Sequence, residues 1–478
     1  MKSNVPRWIQ LSALLLLFSS QSLAQYPDDA LRFAGLGSGV GARSLGMGNA
    51  YIGVASDYTA LYWNPAGLAQ MKRSEFSFGI SHLNYRNAGT LFGSSQSYSN
   101  NATQLNTLGV VYPVQVERGS LVLAFGYSRH NSFTSGLSFS GFSQESSVVQ
   151  AWAPDGQAYP SEITIAEELG LAIADTSTGT FISPINGMVT QEGTVLEGGG
   201  IDNWSFGGAV DIARDLSAGV TLTFLSGSYE YDREYTEIDA LNSYTTFPFD
   251  FDYVTLDEFI RSDISGFGAN LGIMYRLPEK FRLGLTVRTP ISLNIREEFG
   301  QTANSYFDNG DVLPVDAPYE TIGAGEYDVV TPWVFGAGLS FVLGNLVLSA
   351  DAQATDWTQL RFDDANPELL ALNTEFNEVF RPTLNWRAGA EYELPRSGVR
   401  VRGGFIYNTS PYERDQSSDF DQKHVTAGLG FALAGYAMLD VAYAHGWWKT
   451  DRVNYDNTSQ VNEDITTNNV ILTFSYRF

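Results

Sequence analysis

The last fourteen residues of the chain, 465–478, alternate between apolar and polar side chains. The apolar set is Val470, Leu472, Phe474, Tyr476 and Phe478. Side chains in a strand point alternately to opposite faces, so one face of this strand is apolar and the other is polar. A terminal strand of this kind, ending on an aromatic residue, is typical of a transmembrane β-barrel whose outer face meets lipid. We therefore expect a barrel in a bacterial outer membrane.

The amino-terminal end has the pattern of a secretory signal peptide. Lys2 and Arg7 precede an apolar stretch at 11–18, and the small residues Ser22 and Ala24 come just before an expected cleavage site after Ala24. A membrane-spanning helix would need about 20 apolar residues, more than this stretch contains. We expect residues 1–24 to be removed as a signal peptide.

Composition favours a membrane barrel and excludes several partners. Aromatic residues make up 13% of the chain and charged residues 17%, against about 25% charged in soluble proteins. The net charge of -25 would repel nucleic acid. The chain has no Cys, so it forms no disulfide and carries no lipid on Cys. The acidic residues either keep surface loops solvated or bind divalent cations at a lipopolysaccharide surface.

About fourteen alternating segments follow Ser74. Their approximate bounds are 74–88, 104–115, 118–131, 201–213, 216–233, 259–276, 281–299, 325–342, 345–362, 381–394, 397–410, 421–434, 437–453 and 465–478. The fold class is thus all-β, an antiparallel barrel of about fourteen strands over residues 72–478. A charge facing lipid near the midplane costs about 2–4 kcal/mol, so Arg282, Arg288 and Asp440 should point inward.

Short turns alternate with longer links along the barrel, the longest running from about 131 to 200. Outer-membrane barrels place short turns in the periplasm, so both chain ends should be periplasmic. Asn366 before Pro367 indicates a helix start in one outer loop, and residues 163–173 give a weaker helix signal in another.

The segment 25–71 is rich in Gly and Ala and has no strand long enough to cross a membrane. The residues that we assign to its plug motif are Gly46, Gly48, Asn64, Pro65, Ala66 and Gly67. Between Leu31 and Gln70 the charged residues are only Arg32, Arg43 and Asp57. A free periplasmic tail should be more highly charged, so we favour a plug folded into the lumen over a free tail.

The sequence contains few residues that could form a catalytic or metal site. The four His residues, His82, His130, His424 and His445, have no metal-ligand spacing, and there is no Cys nucleophile. The glycine run at 35–39 follows no strand and lacks the Lys of a phosphate-binding loop. We expect no enzyme activity, no cofactor and no metal, although a hydrolase using one of the His residues stays an alternative.

An aromatic run marks one outer loop: Phe247, Phe249, Phe251, Tyr253 and, close behind, Phe259. Rings on a lipid-facing strand would be girdle residues. If the loop leaves the membrane, these rings could instead form a groove that captures an apolar solute.

Several segments, taken in order, resemble one known family. They are Asn64-Pro65-Ala66, residues 282–290, Asp356-Trp357-Thr358, residues 385–392 and residues 402–411. From about Ala34 to Phe478 the chain is similar to the outer-membrane transporters of long-chain fatty acids and aromatic hydrocarbons, the FadL/TodX type.

The resemblance implies a fourteen-stranded barrel, an amino-terminal plug and passive uptake of hydrophobic small molecules, captured at outer loops. It also implies an inward kink in the third strand that opens a lateral route, and Gly126 is the expected weak point because Gly favours a bend in a strand. The protein should be a monomer in contact with the bilayer and lipopolysaccharide. The Gly-rich residues 37–48 look more like a sister branch of the same superfamily, whose members serve as secretion-system shuttles. An alternative function is therefore a barrel that docks secreted partners through its long loop.

Overall fold

The computed structural model describes residues 27–35, 37, 39–160, 163–277, 280–315, 317–433 and 435–478. The expected signal peptide, residues 1–24, lies outside these ranges. Over the described ranges, no helix has the length and apolar character needed to cross a bilayer.

Antiparallel strands make up most of the described chain. The strands are β1 (Glu75–Leu91), β2 (Ser94–Val114), β3 (Leu121–Ser132), β4 (Ser135–Ser143), β5 (Ile173–Asp175), β6 (Thr180–Ile182), β7 (Val189–Ala213), β8 (Leu216–Ile238), β9 (Phe251–Leu277), β10 (Phe281–Arg288), β11 (Ser292–Phe307), β12 (Val312–Leu313), β13 (Tyr319–Val330), β14 (Val334–Leu343), β15 (Leu346–Asp356), β16 (Arg361–Asp363), β17 (Pro382–Glu393), β18 (Val399–Asn408), β19 (Gln422–Leu433), β20 (Ala437–Val453) and β21 (Gln460–Arg477). The α-helices are α1 (Pro27–Ala34), α2 (Ala42–Gly46), α3 (Ala60–Trp63), α4 (Val148–Trp152), α5 (Ile165–Glu168), α6 (Pro367–Ala371) and α7 (Phe376–Val379), and 3-10 turns occupy Pro65–Gln70, Trp357–Gln359 and Leu372–Thr374.

The strands form a closed antiparallel barrel of 14 staves, a stave being one full crossing of the wall. Four staves consist of two strands in succession: β3 with β4, β10 with β11, β13 with β14, and β15 with β16. Pairing of β1 with β21, from Glu75 opposite Arg477 to Thr90 opposite Asn462, closes the ring. The expected fold class is confirmed.

Several strands run further outward than expected. Strand β9 begins at Phe251 rather than at 259, and β7 begins at Val189 rather than at 201. The prediction of a long loop between 88 and 104 is wrong, because β1 and β2 continue to a tight turn at residues 92–93. In these outer extensions the inward side chains are apolar and the outward ones polar, the reverse of the membrane belt. A search for strands with an apolar outward face therefore assigns these extensions to loops.

An apolar belt surrounds the half of the barrel nearest the short turns. Its outward, exposed side chains include Phe78, Phe125, Phe206, Leu222, Leu271, Leu285, Leu339, Leu429, Leu472 and Phe474. The inward positions carry the charges: Asp440 is buried, and Arg288 donates to the carbonyl of Tyr62 inside the lumen. Arg282 lies on the same inward face of β10, so all three predicted inward charges are confirmed.

Two outer loops contain the helices that the sequence indicated. Asn366 Oδ1 accepts a hydrogen bond of 2.8 Å from Leu369 N and caps α6, which has Pro367 at its first position. In the other loop, Thr164 and Glu167 form a capping box at the start of α5. The helix there is confined to four residues, shorter than the segment 163–173.

Three apolar clusters succeed one another along the lumen. The plug cluster, which includes Tyr51, Tyr58 and Trp63, lies nearest the short turns. A middle cluster joins Phe33 of α1 to the inner wall. An outer cluster combines residues 148–189 with the outer ends of several staves, including Phe251. The long loop is thus packed into the outer mouth rather than extended.

A charge placed on the lipid face should destabilise the barrel according to its depth. We expect Leu472→Arg, in the apolar belt of β21, to lower the free energy of unfolding by about 2–4 kcal/mol. Asn462→Arg, on the same outward face but above the belt, should cost about 0–1 kcal/mol. Urea titration of the refolded protein in lipid vesicles measures both; equal losses would contradict the assignment of the belt.

Candidate functional site

The amino-terminal segment lies inside the barrel, and its described residues 39–71 are called the plug below. Short elements build it: α2, α3 and the 3-10 turn Pro65–Gln70. Asn64 starts that turn, because its Oδ1 accepts from Ala66 N at 3.1 Å while its amide donates to Ile52 O at 3.0 Å. Pro65 follows at the first helical position, where its missing N–H costs nothing.

Two buried carboxylates of the wall hold plug groups. Asp351 of β15 accepts from the backbone N–H groups of Tyr51 and Ile52 at 2.6 and 2.7 Å. Glu391 of β17 receives both arms of the Arg43 guanidinium, at 2.9 and 2.8 Å. Charge-assisted hydrogen bonds of this kind are about twice as strong as neutral ones. They therefore hold the plug in position and also satisfy its buried donors.

A second arginine extends this network along the wall. Arg402 donates to Glu391 at 2.7 Å and to Asp440 at 2.6 Å. The carboxylate of Glu391 is therefore shared between the plug and the neighbouring stave. Removing one partner of such a buried pair leaves an uncompensated charge and typically costs about 3–5 kcal/mol.

Inward glycines of the wall let the plug backbone come close. A Cβ at Gly389 would overlap the carbonyl of Met47, and one at Gly404 would overlap the Met47–Gly48 peptide. Gly284 and Gly338 face Ile52 and Gly53 in the same way. In the plug, Gly48 has a φ of 61°, a conformation that favours Gly.

The plug touches every stave of the barrel. Hydrogen bonds join it to Glu75, Asn106, Tyr127, Ser217, Asn270, Arg288, Ser340, Asp351, Glu391, Thr426 and Thr473. Apolar or close backbone contacts reach the remaining staves at Gly207, Gly404 and Ala442. The periplasmic half of the lumen is filled across its whole section.

The wall is interrupted in its third stave. Strand β2 pairs with β3 only from Thr107 to Val114, and over the described residues it has no ladder with β4. After a register shift next to Asn131, β4 turns to the lumen side of β1, where a Cβ at Gly89 would overlap Leu137. The unpaired edge of β2 begins at Leu105, opposite Ile80 of the apolar belt.

Gly126 does not lie at this interruption. It is regularly paired with Gly109 and Ser205, and a Cβ there would overlap the Leu108 carbonyl and the Tyr58 hydroxyl. Its role is close packing of the wall on the plug. The bend lies further along, at residues 129–135. There β4 pairs with β7 and packs against the lumen side of β1.

Side chains rather than backbone bridge the interruption. Arg129 Nε donates to Gln104 Oε1 at 2.9 Å, and Gln104 Nε2 donates to Ser132 Oγ at 3.2 Å. Asn100 Nδ2 donates to the Ser135 carbonyl at 2.9 Å. A few rotamer changes would separate these groups without breaking a strand ladder.

A lumenal cavity of about 300 Å³ lies directly above the plug. Its floor includes Leu45, Tyr62 and Trp63, and one side is formed by residues 131–135 of the interrupted stave. Arg32 of α1 borders it from the outer side. The cavity therefore adjoins both the plug and the interruption of the wall.

Two arginines give this cavity a positive character. The guanidinium of Arg288 lies 4.4 Å from the ring centre of Tyr62, and that of Arg387 lies 5.6 Å from the ring centre of Trp63. Arg387 donates to Gln353 at 3.2 Å and lies opposite Asp351 in the strand ladder. Within the described part of the chain, neither arginine forms an ion pair.

Several buried polar atoms around the cavity have no hydrogen-bond partner in the described protein: Arg387 Nε, Gln353 Nε2, Asn408 Oδ1, His424 Nδ1 and Asn469 Oδ1. Buried polar groups are normally satisfied, so this set calls for a solute or water in the cavity. Two of these atoms, Arg387 Nε and Gln353 Nε2, are neighbouring donors that suit an acceptor such as a carboxylate, while Asn408 Oδ1 and Asn469 Oδ1 are acceptors.

The five aromatic residues of the expected capture groove are not brought together. Phe251 is buried in the outer cluster, while Tyr253 and Phe259 lie on the outward face of β9. Tyr253 stacks on Tyr306 at 4.1 Å. Phe247 is 77% exposed and Phe249 is half-buried. A register shift is the reason: Tyr306 pairs with Tyr253 and Phe307 with Phe251, so Asp252 is an extra residue and Phe251 turns to the opposite face from Tyr253.

These features define the class of protein: an outer-membrane β-barrel whose lumen holds its own amino-terminal segment. Residues 201–478 match the model of the outer membrane protein transport protein family (OMPP1/FadL/TodX), and the chain belongs to this family.

Individual relatives agree with this assignment. The chain is 27% identical over 203 residues to the long-chain fatty acid transport protein of Escherichia coli O6:H1, an alignment that spans 39% of this chain and only 44% of that relative. The toluene transporter TodX of Pseudomonas putida has a TM-score of 0.54 at 15% identity, covering 92% of this chain and 99% of TodX. A Pseudomonas aeruginosa FadL homologue has a TM-score of 0.57 at 12% identity, with 93% and 99% covered. The structural likenesses concern the fold.

Sequence reasoning placed Arg288 inside the barrel but gave it no role, and it did not single out Arg387 or Asp351. Their inward direction can be read from alternation with outward neighbours such as Trp386. Their convergence on one cavity depends on which staves face each other across the lumen, and no local pattern records that.

The glycine contacts should control whether the plug stays in place. We expect Gly404→Val to displace the plug, because its side chain would overlap the Met47–Gly48 backbone, and thus to raise ion conductance of the barrel in planar bilayers. Gly403→Val is the matched control, since Gly403 faces outward with open space around it. Equal conductance of the two variants would contradict the close-packing account.

Proposed function

We propose that this protein carries hydrophobic small molecules, either long-chain fatty acids or aromatic hydrocarbons, passively across the outer membrane. The solute would occupy the cavity above the plug and leave through the wall between β2 and β4. The observation that carries this proposal is that residues 131–135 line the cavity and also form the interruption of the wall. The names of the relatives supply the two solute classes.

The direction of exit follows from what fills the lumen. Straight passage to the periplasm would require the plug to give up hydrogen bonds to most staves together. A sideways exit needs only the side-chain bridge of Gln104, Arg129 and Ser132 to open. Because the unpaired β2 edge begins beside Ile80 in the apolar belt, an apolar solute would leave directly into hydrocarbon, where its transfer is favourable.

The chemistry of the cavity favours a solute with an acidic head. Arg288 and Arg387 supply positive charge beside unsatisfied donors, and Tyr62 and Trp63 supply apolar surface next to them. A carboxylate would satisfy these donors, while an apolar tail would point toward the interruption. Neutral hydrocarbons would leave the same polar atoms unpaired, which weakens their binding.

Capture at the outer surface stays a proposal restricted to Phe247 and Phe249, which precede β9 and lie in the loop itself. Phe251 instead contributes to the buried outer cluster. No cofactor takes part in this proposal, since the solute follows its own concentration gradient.

The lateral route can be blocked in a chain that has no native Cys. Ser132→Cys should transport normally before modification and lose most uptake once a bulky maleimide fills the interruption. Ser226→Cys, outward on β8, is the control and should tolerate the same label. Uptake of radiolabelled oleate into cells measures the effect; unimpaired uptake by labelled Ser132→Cys would contradict the route.

Recognition of an acidic head can be separated from transport itself. Arg387→Met keeps the side-chain bulk but removes charge and donors, so oleate uptake should fall about tenfold, as expected for loss of a charge-assisted hydrogen bond. Toluene uptake should stay unchanged. Arg282→Met, another inward arginine that does not line the cavity, should alter neither. A parallel loss of both solutes in Arg387→Met would overturn the acidic-head assignment.

A further inference from the structure

The outward surface above the apolar belt is divided by charge. One side, on strands β8, β9, β11 and β13, is acidic: Glu230, Asp232, Asp263, Glu298 and Glu326. The arginines there are already paired, Arg261 with Asp232 and Arg296 with Glu326. The opposite side, from β17 through β21 to β2, has a different composition.

On that opposite side, residues paired directly across seven staves form one outward row, called the girdle row: Trp386, Tyr407, Lys423, Trp447, Thr466, Arg86 and Ser99. The row lies two residues beyond Val425, an exposed apolar residue of β19. The level of the row relative to the belt changes from stave to stave, because barrel strands are tilted. The exposed apolar Leu384 lies two residues further out than Trp386, whereas Arg86 lies six residues further out than Ile80. The middle of the row, at Lys423 and Trp447, lies at the upper edge of the belt, where aromatic residues meet lipid head groups.

The two cations of the girdle row are available to a ligand. Arg86 is exposed, and neither Arg86 nor Lys423 forms an ion pair with the described residues. The ammonium of Lys423 makes a long hydrogen bond of 3.4 Å to the Ser418 carbonyl and lies 5.9 Å from the Tyr407 ring centre. Three strand spacings separate them, about 14 Å. One rung further out, Lys449 pairs with Asp464 at 3.5 Å, so a third cation lies nearby.

A polar ladder lies between the girdle row and the belt. Asn84 Nδ2 donates to Asn101 Oδ1 at 2.6 Å, and Asn468 Oδ1 accepts from the Tyr443 hydroxyl at 2.6 Å and lies 3.0 Å from His445 Nδ1. The amide groups face outward on β2, β1 and β21, and Tyr443 and His445 face outward on β20. They can bind hydroxyl, ester or amide groups at the membrane surface.

We propose that the girdle row and its polar ladder bind the phosphorylated sugar head group of an outer-leaflet glycolipid, lipid A. From the membrane outward, the surface offers apolar side chains, then amides, then cations. A lipid A molecule offers acyl chains, then amide- and ester-bearing sugars, then phosphates. Arg86 and Lys423 bind the two phosphates, and Trp447 between them lies against the sugar.

Charge complementarity selects this side of the barrel. Phosphates would be repelled by the acidic surface of β8 to β13, and the chain as a whole carries a net charge of -25. Two cations without ion pairs in the described chain, at and above the edge of the belt on one side of so acidic a protein, would attract an anionic lipid there.

The test titrates detergent-solubilised lipid A, with both phosphates or with both removed, against the purified mature protein and counts bound lipid by native mass spectrometry. Wild type should prefer the phosphorylated form. The double variant Arg86→Gln, Lys423→Gln should bind it about 25-fold more weakly, since each basic residue near an anionic lipid contributes roughly fivefold. The double variant Arg86→Lys, Lys423→Arg should retain binding.

The control is Arg261→Gln with Arg296→Gln on the acidic side, which should bind like wild type. Unchanged affinity of the first double variant, equal weakening in both pairs, or no preference for phosphorylated lipid A would each overturn the proposal. Heat-dependent gel migration verifies that each variant is folded. Uptake into vesicles without lipid A should be equal for wild type and variants, and its absence in all of them would count against the transport proposal alone.

Discussion

Close contact between the plug backbone and inward glycines of the wall is the interaction on which the rest of the structure depends. A barrel of eight strands can fill its interior with side chains, but one of fourteen cannot. Gly389 and Gly404 let the plug approach the wall without a side chain between them. Asp351 and Glu391 then take up the plug's backbone and guanidinium donors, which would otherwise be buried without partners at a cost of about 1–3 kcal/mol each.

The filled lower lumen determines what the remaining space can do. The outer cluster, with the long loop packed into it, covers the opposite end, and Glu237 accepts from Val148 N at 2.7 Å to hold that loop. The cavity between is bounded by the interrupted stave, where side chains replace the strand ladder. An opening in the wall is therefore the part of the cavity boundary that can change with the fewest broken backbone hydrogen bonds.

The barrel class, its fourteen staves and the inward direction of Asp440 could be predicted because lipid imposes a local rule on every strand. Above the membrane that rule reverses: Tyr235 and Leu256 are buried inside while Glu234 and Asp257 face outward, so residues 234–238 of β8 and 251–258 of β9 were not recognised as strand. The family resemblance implied a kink in the third strand, and Gly126 was its expected position because Gly favours a bend. In the described part of the chain the bend lies at residues 129–135, where β4 pairs with β7 and not with β2. The cavity arginines converge from separate staves, which only the assembled barrel reveals.

The account is tested most directly by amide hydrogen exchange of the mature protein in lipid nanodiscs, followed by mass spectrometry. Peptides covering residues 39–71 should exchange as slowly as those from β17 and β18, because their N–H groups are bonded to the wall or enclosed by it. Exchange of these peptides within seconds, while the barrel strands stay protected, would contradict a lumen filled by the plug.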